Sequence, residues 1–153
     1  MENIHATAVD IEGYGILIIG SSGAGKSDVA LRLIENKGAI LVADDRVDLK
    51  AENGRLVASA PKNIEGLLEV RGVGIVKTAY KAQTTVELVV KATPKEDVER
   101  YPKETFFENQ NVRVPSVLLD LFEPSAADKI VVKLKAVLER KKETLYDEAA
   151  SEK

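Results

Sequence analysis

Thr7, Val9 and Ile11 alternate with smaller or polar positions, the two-residue period of a strand with one buried face. Glu12-Gly13-Tyr14-Gly15 then reads as a turn into the apolar run Ile16 to Ile19, which predicts a second strand. Beyond residue 27 the period changes. Val29, Ala30, Leu33 and Ile34 fall on one helical face, and Gly38 stands where a helix C-terminus favours a left-handed residue, so a helix of about three turns is expected. Ile40 to Ala43 is again continuously apolar and ends in Asp44-Asp45. A strand buried on both faces in a parallel sheet reads this way when it delivers acids to its C-terminal edge.

Val47 to Ala51 and Leu56 to Ala60 flank Asn53-Gly54, the strongest short signal for a β-hairpin. Thr85 to Lys91 alternates around Val86, Leu88 and Val90, and Asn111 to Phe122 carries apolar residues around Pro115, which suits an edge position. Ile130, Leu134, Val137 and Leu138 share a helical face, with Ser125 or Asp128 placed to cap its start. The expected fold class is α/β, a mixed β-sheet with flanking helices around a phosphate-binding loop. One domain is expected over 1–140, followed by a charged tail over 141–153 that frays.

A chain of 153 residues with 44% hydrophobic content fits a single core. The 22 basic and 25 acidic residues nearly balance, so neither sign builds a field that would draw in nucleic acid or a membrane surface. There is no cysteine, which excludes a disulfide framework and a thiolate metal site. The apolar runs are too short to cross a bilayer, and no basic segment followed by an apolar one opens the chain. A soluble, unexported, cytoplasmic protein is expected.

Gly20-Ser21-Ser22-Gly23-Ala24-Gly25-Lys26-Ser27 matches the pattern G-x-x-x-x-G-K-[ST] and lies between a predicted strand and a predicted helix, where the chemistry needs it. Glycines let the backbone curl with its N–H groups facing anionic oxygens, and the helix adds the positive end of its dipole. Lys26 is then placed for β- and γ-phosphates and the Ser27 hydroxyl for Mg²⁺. A Gly/Ser-rich turn that binds nothing is the bland alternative, and the flanking strand and helix argue against it.

Asp44 and Asp45 end the strand after the loop helix, at the edge where ligands collect in open α/β sheets. In phosphoryl transfer such an acid orients the attacking hydroxyl and receives its proton late. Both acids could instead cap a turn, and for Asp45 the two readings stand level. His5 is the only histidine, and by itself it reads as structural as readily as catalytic. Glu69-Val70-Arg71-Gly72-Val73-Gly74-Ile75 places an acid, a guanidinium and two glycines together, as a loop approaching phosphate needs and as a charged turn also would.

Together these residues resemble the catalytic domain of the HPr kinase/phosphorylase family, bacterial enzymes that phosphorylate a serine of the phosphocarrier protein HPr. The resemblance runs through Ile4-His5-Ala6, the segment Gly20 to Asp28, Leu41 to Val47, and Ala60-Pro61 through Leu67 to Ile75. It implies that Asp44 accepts the proton of the target serine and that His5 stands near the transferred phosphate. It implies further that Lys26 contacts the phosphates of ATP, that Ser27 and Glu69 ligate Mg²⁺, and that Glu69 to Ile75, with Arg71, acts in the transfer. Arg100 is the match for a further catalytic arginine, with Arg113 as rival. A phosphoenolpyruvate-carboxykinase-like fold and a homohexamer are also implied.

Three departures accompany the resemblance. The chain begins almost at His5, so a shortened, catalytic-domain form is expected. Asp28 stands where a glutamate commonly follows the loop serine. Pro124-Ser125-Ala126-Ala127 occupies the place of a Gly-Arg-Asn element tied to dephosphorylation, which puts reverse phosphorolysis in question. A small-molecule kinase of the same fold and a nucleotide-dependent switch remain the alternatives.

Overall fold

The computed structural model describes the backbone of residues 1–151 and the side chains of residues 1–143. The N-terminal strands are β1 (Glu2–Ile11) and β2 (Tyr14–Ile19), followed by α1 (Lys26–Lys37) and β3 (Ile40–Ala43). Next come β4 (Arg46–Glu52), β5 (Arg55–Ser59), β6 (Leu67–Val70), β7 (Gly74–Lys77) and β8 (Gln83–Ala92). The chain closes with β9 (Thr105–Asn109), β10 (Val112–Leu119) and α2 (Ala126–Ser151). Among the described residues eight strands form one mixed sheet, in the order β2-β1-β4-β5-β8-β10-β9 with β3 also on β1, and β6 and β7 form a separate hairpin.

The sheet closes partly on itself because β1 and β8 are long enough to serve two sets of partners. The first half of β1 pairs with β4, and its second half pairs with β2 and β3. Similarly, β8 pairs antiparallel with β5 through Gln83–Thr85, then parallel with β2 and β10. Two cores result. Val9, Ile16, Ile18, Leu41, Leu88 and Val90 face α1, α2 and the β6–β7 hairpin, while Ala8, Leu17, Val47, Leu49, Leu56 and Val89 fill the space enclosed by the strands. Each fully buried Leu, Ile or Val side chain contributes about 1.5–3 kcal/mol, so the two cores dominate stability.

The predicted β-hairpin is present, with Asn53 and Gly54 both at positive φ as a two-residue turn of this twist requires. Two expectations change. The strand ending in Asp44-Asp45 is buried as anticipated but lies in an antiparallel ladder, because the tight turn at Glu12-Gly13 folds β1 back beside β2 and α1 then crosses over it. Strands β2 and β3 still run the same way, with β1 between them, so both C-terminal ends reach one edge.

The alternation from Thr85 to Lys91 is interrupted by a bulge: Gly15 pairs with Val86 but Ile16 with Leu88, which turns Val86 into the enclosed core and Leu88 toward the helices. Pro115 holds the edge position expected of it, although β10 as a whole is internal to the sheet. It sits in the first half of β10, where only β9 pairs, and the ladder to β8 starts at Ser116, so its missing N–H interrupts no second ladder. Glu69 to Ile75 forms the β6–β7 hairpin, with Arg71-Gly72-Val73 as its charged turn.

The predicted C-terminal helix forms, with Ile130 and Leu134 buried against the helical core. Its start is held by the Lys129 N–H on the Ser125 carbonyl, and Asp128 pairs with Lys37 of α1. The tail expected over 141–153 falls mostly outside the residues whose side chains are described; its backbone is helical to Ser151. No described helix is long and apolar enough to cross a membrane.

At the β1–β2 turn Asp10 is only 3% exposed. It accepts hydrogen bonds from the Gly13 N–H at 2.9 Å, Lys81 Nζ at 2.9 Å and Thr84 Oγ1 at 2.6 Å. Burial pushes its pKa upward, and the Thr84, Lys81 and Gly13 donors outweigh that, holding the carboxyl below its ordinary 3.8. The group is therefore ionised more readily folded than unfolded. Its contribution is complete above the ordinary carboxylate value and is lost as pH falls through the lower folded one. Asp10→Ala should cost about 2–4 kcal/mol in urea unfolding at pH 7, and the gap from wild type should narrow as pH drops below about 4.

Candidate active site

The loop between β2 and α1 places its backbone at the N-terminus of a three-turn helix. Gly25, the residue before α1, has φ 92, a conformation that side chains resist, and a Cβ there would lie 3.3 Å from the Phe122 ring. A Cβ on Gly20 would stand 2.6 Å from the Ala92 Cβ, so loop and β8 meet backbone against side chain. Within the loop the Ala24 N–H donates to the Ser21 carbonyl at 3.1 Å. The Lys26 ammonium donates to the carbonyls of Gly20 and Ser21 at 2.8 and 2.9 Å. Burial lowers its pKa below the ordinary 10.5, while the charges of Asp44 and then Asp45 act in the opposite sense.

Asp44 is the hub of this edge. It is 5% exposed. Its Oδ1 accepts from Ser27 Oγ at 2.7 Å and Thr7 Oγ1 at 2.9 Å, and its Oδ2 accepts from the Glu69 N–H at 3.1 Å. Three elements, β1, α1 and β6, thus converge on one carboxylate. His5 lies on the same face of β1 as Thr7, two residues along, and its Nδ1 is 3.5 Å from Asp45 Oδ1 at the solvent-exposed rim. Beside the loop is a cavity of about 440 Å³, lined by Ser21 to Ala24, Ala92 to Lys95 and Asp120 to Phe122. Arg32 of α1 donates to the Leu121 and Glu123 carbonyls and pairs with Asp28 at 3.4 Å, tying that wall to the helix.

Of the residues singled out from sequence, Gly20 to Ser27, Asp44, Glu69 and His5 come together. Arg71 is at the exposed tip of the β6–β7 hairpin, two residues from Glu69. Arg100 lies in the segment that leaves the cavity wall after Lys95, its guanidinium over the Tyr101 ring at 5.6 Å. Arg113 stacks 3.6 Å above the Phe106 ring and lines a different cavity of about 460 Å³, which shares no residue with the loop. Arg113 thus faces a cavity apart from the phosphate loop.

The sequence profile of the HPr serine kinase C-terminal domain matches residues 1–151. The chain belongs to that family. HPr kinase/phosphorylase of Lactobacillus acidophilus is 34% identical over 157 residues, covering 95% of this chain and 48% of that protein. The protein of the same name from Caldicellulosiruptor bescii is 33% identical, covering 95% of this chain and 50% of its own length. The chain thus spans about half the length of these curated relatives. The solved HPr(Ser) kinase/phosphatase from Coxiella burnetii superposes with a TM-score of 0.75 at 28% identity, covering 99% of this chain and 98% of that one. This HPr serine kinase C-terminal domain therefore shares its whole architecture with a solved member, and the mixed-sheet fold class stands.

Two contributors escaped the sequence reading. Thr7 was legible only as a strand position; its signal was a hydroxyl at an alternating inward site among apolar neighbours. The Glu69 main-chain N–H leaves no trace in sequence at all. The contact between Gly20 and β8 gives a direct check: Gly20→Ala should destabilise the domain by about 1–3 kcal/mol in urea unfolding, and adding Ala92→Gly should restore most of it.

Proposed function

We propose that this domain is an ATP-dependent protein-serine kinase that phosphorylates a serine of the phosphocarrier protein HPr. The observation that carries the reading is the buried Asp44 carboxylate, 2.7 Å from the hydroxyl of the phosphate-loop serine. Family membership and the names of the relatives support the substrate.

On this reading the loop N–H groups and Lys26 hold the β- and γ-phosphates of ATP. Among the described residues no three His, Cys, Asp or Glu side chains converge as a metal cage. Ser27 with Glu69 is the sparse oxygen donor set that suits Mg²⁺ held mainly by phosphate oxygens, which neutralises charge when bound. Asp44 orients the incoming serine hydroxyl. As the serine oxygen bonds to the γ-phosphorus, the bond to the β-bridging oxygen breaks, ADP leaves, and the hydroxyl proton passes to Asp44. Ser27 and Thr7 share Oδ1 of Asp44, so a Ser27 hydroxyl engaged by Mg²⁺ would leave one acceptor position on that oxygen for the serine hydroxyl. Thr7 and the Glu69 N–H keep the carboxylate in place meanwhile.

His5 supports the charge on the moving phosphoryl group, and Arg71 and Arg100 approach from the hairpin tip and the Thr93–Glu104 segment. The catalytic unit is 1–140, with the charged tail beyond it. A cytoplasmic homohexamer follows from the family resemblance. Pro124 to Ala127, at the end of the β10–α2 connection and the start of α2, stand where the resemblance places the dephosphorylation element, so the forward reaction should dominate.

Purified protein mixed with HPr and MgATP should add one phosphate to an HPr serine by intact mass; an unmodified HPr would overturn the proposal. Asp44→Asn should lower kcat by about 10²- to 10⁴-fold with ATP binding retained, whereas Lys26→Ala should weaken both. Inorganic phosphate added to phospho-HPr should remove phosphate slowly or not at all.

A further inference from the structure

Strands β3 and β4 both run antiparallel to β1, one along its second half and one along its first, and would be continuous but for Asp44 and Asp45. The break is a three-residue turn. The Arg46 N–H donates to the Asp44 carbonyl at 2.8 Å, and Asp45 between them has φ 69. A γ-turn with positive φ at its centre is the rare, strained form, and a side chain there carries a cost that glycine avoids. The Asp45 carbonyl accepts the Ala6 N–H at 3.2 Å, which seats the turn against β1 through main chain alone.

Packing does not ask for a carboxylate at this position. The Asp45 side chain is 64% exposed, and the group facing it is His5 Nδ1. Glycine would make the same turn with less strain, so the acid here stands against backbone preference. Strain of this kind concentrates where a side chain has a task. The turn also separates the two acids, sending Asp44 inward to Thr7 and Ser27 and Asp45 outward to His5.

We propose that Asp45 is a positioning residue: its carboxylate accepts from Nδ1–H of His5, fixes the ring, and leaves Nε2 as the atom available to the transferred phosphoryl group. The role in transfer rests on the kinase reading above; the contact with His5 does not. An imidazole whose Nδ1 faces a carboxylate carries its neutral-form proton on that nitrogen, because the other arrangement would set two acceptors together.

His5 is the only histidine, so long-range ¹H–¹⁵N spectra of the whole protein read its tautomer without assignment. At a pH where the ring is neutral the wild type should show the proton on Nδ1, and Asp45→Gly should move it toward Nε2. A wild-type ring protonated on Nε2 would overturn the proposal. Asp45→Gly should melt no lower than wild type, and up to about 5 °C higher, while kcat for HPr falls on the order of 10- to 100-fold. A lowered Tm, or a rate equal to wild type, would also overturn it.

The coupling to His5 is checked by a cycle: Asp45→Asn should slow the wild type but add nothing in a His5→Gln background. Independent, multiplying effects would show that Asp45 acts elsewhere. Should wild type fail to phosphorylate HPr while its tautomer is as stated, the kinase reading falls and the His5–Asp45 contact stands.

Discussion

Everything at the functional edge depends on one carboxylate. Asp44 is taken out of water at the end of β3, and a buried ionised acid is tolerated only where donors replace the lost hydration. Thr7, Ser27 and the Glu69 N–H supply them from three separate elements. The need to satisfy that group ties the position of the phosphate loop, the hairpin and the central strand to one another. Donors held in place by three elements are the kind of fixed polar setting that the proposed phosphoryl transfer calls for.

The long strand β1 carries two buried acids' worth of partners at its two ends, with different consequences. Near its C-terminal end Asp10 is met by Thr84, Lys81 and Gly13, and the interaction serves the fold. Farther toward its start Thr7 and His5 face Asp44 and Asp45, and there one donor, Ser27, is also the proposed ligand of a cation. A carboxylate whose donors are all structural holds a fold together. One whose donors include a residue with a second task can do chemistry.

The topology explains how the loop and the acids meet although their strands are not neighbours. With β1 inserted between β2 and β3, the α1 crossover spans two strand spacings and still returns the chain in the same direction, so both strands end at one edge. The interposed strand is what brings His5 and Thr7 into the site, since a directly parallel β2–β3 pair would leave no room for them.

The phosphate loop, its helix, the Asn53-Gly54 hairpin and the buried strand before Asp44 were all legible in the sequence, because each is specified by local spacing: glycines at the loop, a helical period in α1, a two-residue turn. The β9 strand was not, since its turn to β10 uses Gln110 and Asn111 at positive φ without a glycine to announce it. Nor was the antiparallel setting of β3, the bulge that reverses Val86, or the hairpin around Arg71, because strand partners are chosen by contacts far apart in the chain. The chemical identity of the site residues is a property of the sequence. Which hydroxyl meets which carboxylate, and the strained turn that sends Asp44 and Asp45 in opposite directions, only the packed sheet decides, because a hydrogen bond is a matter of distance and the sequence records only order.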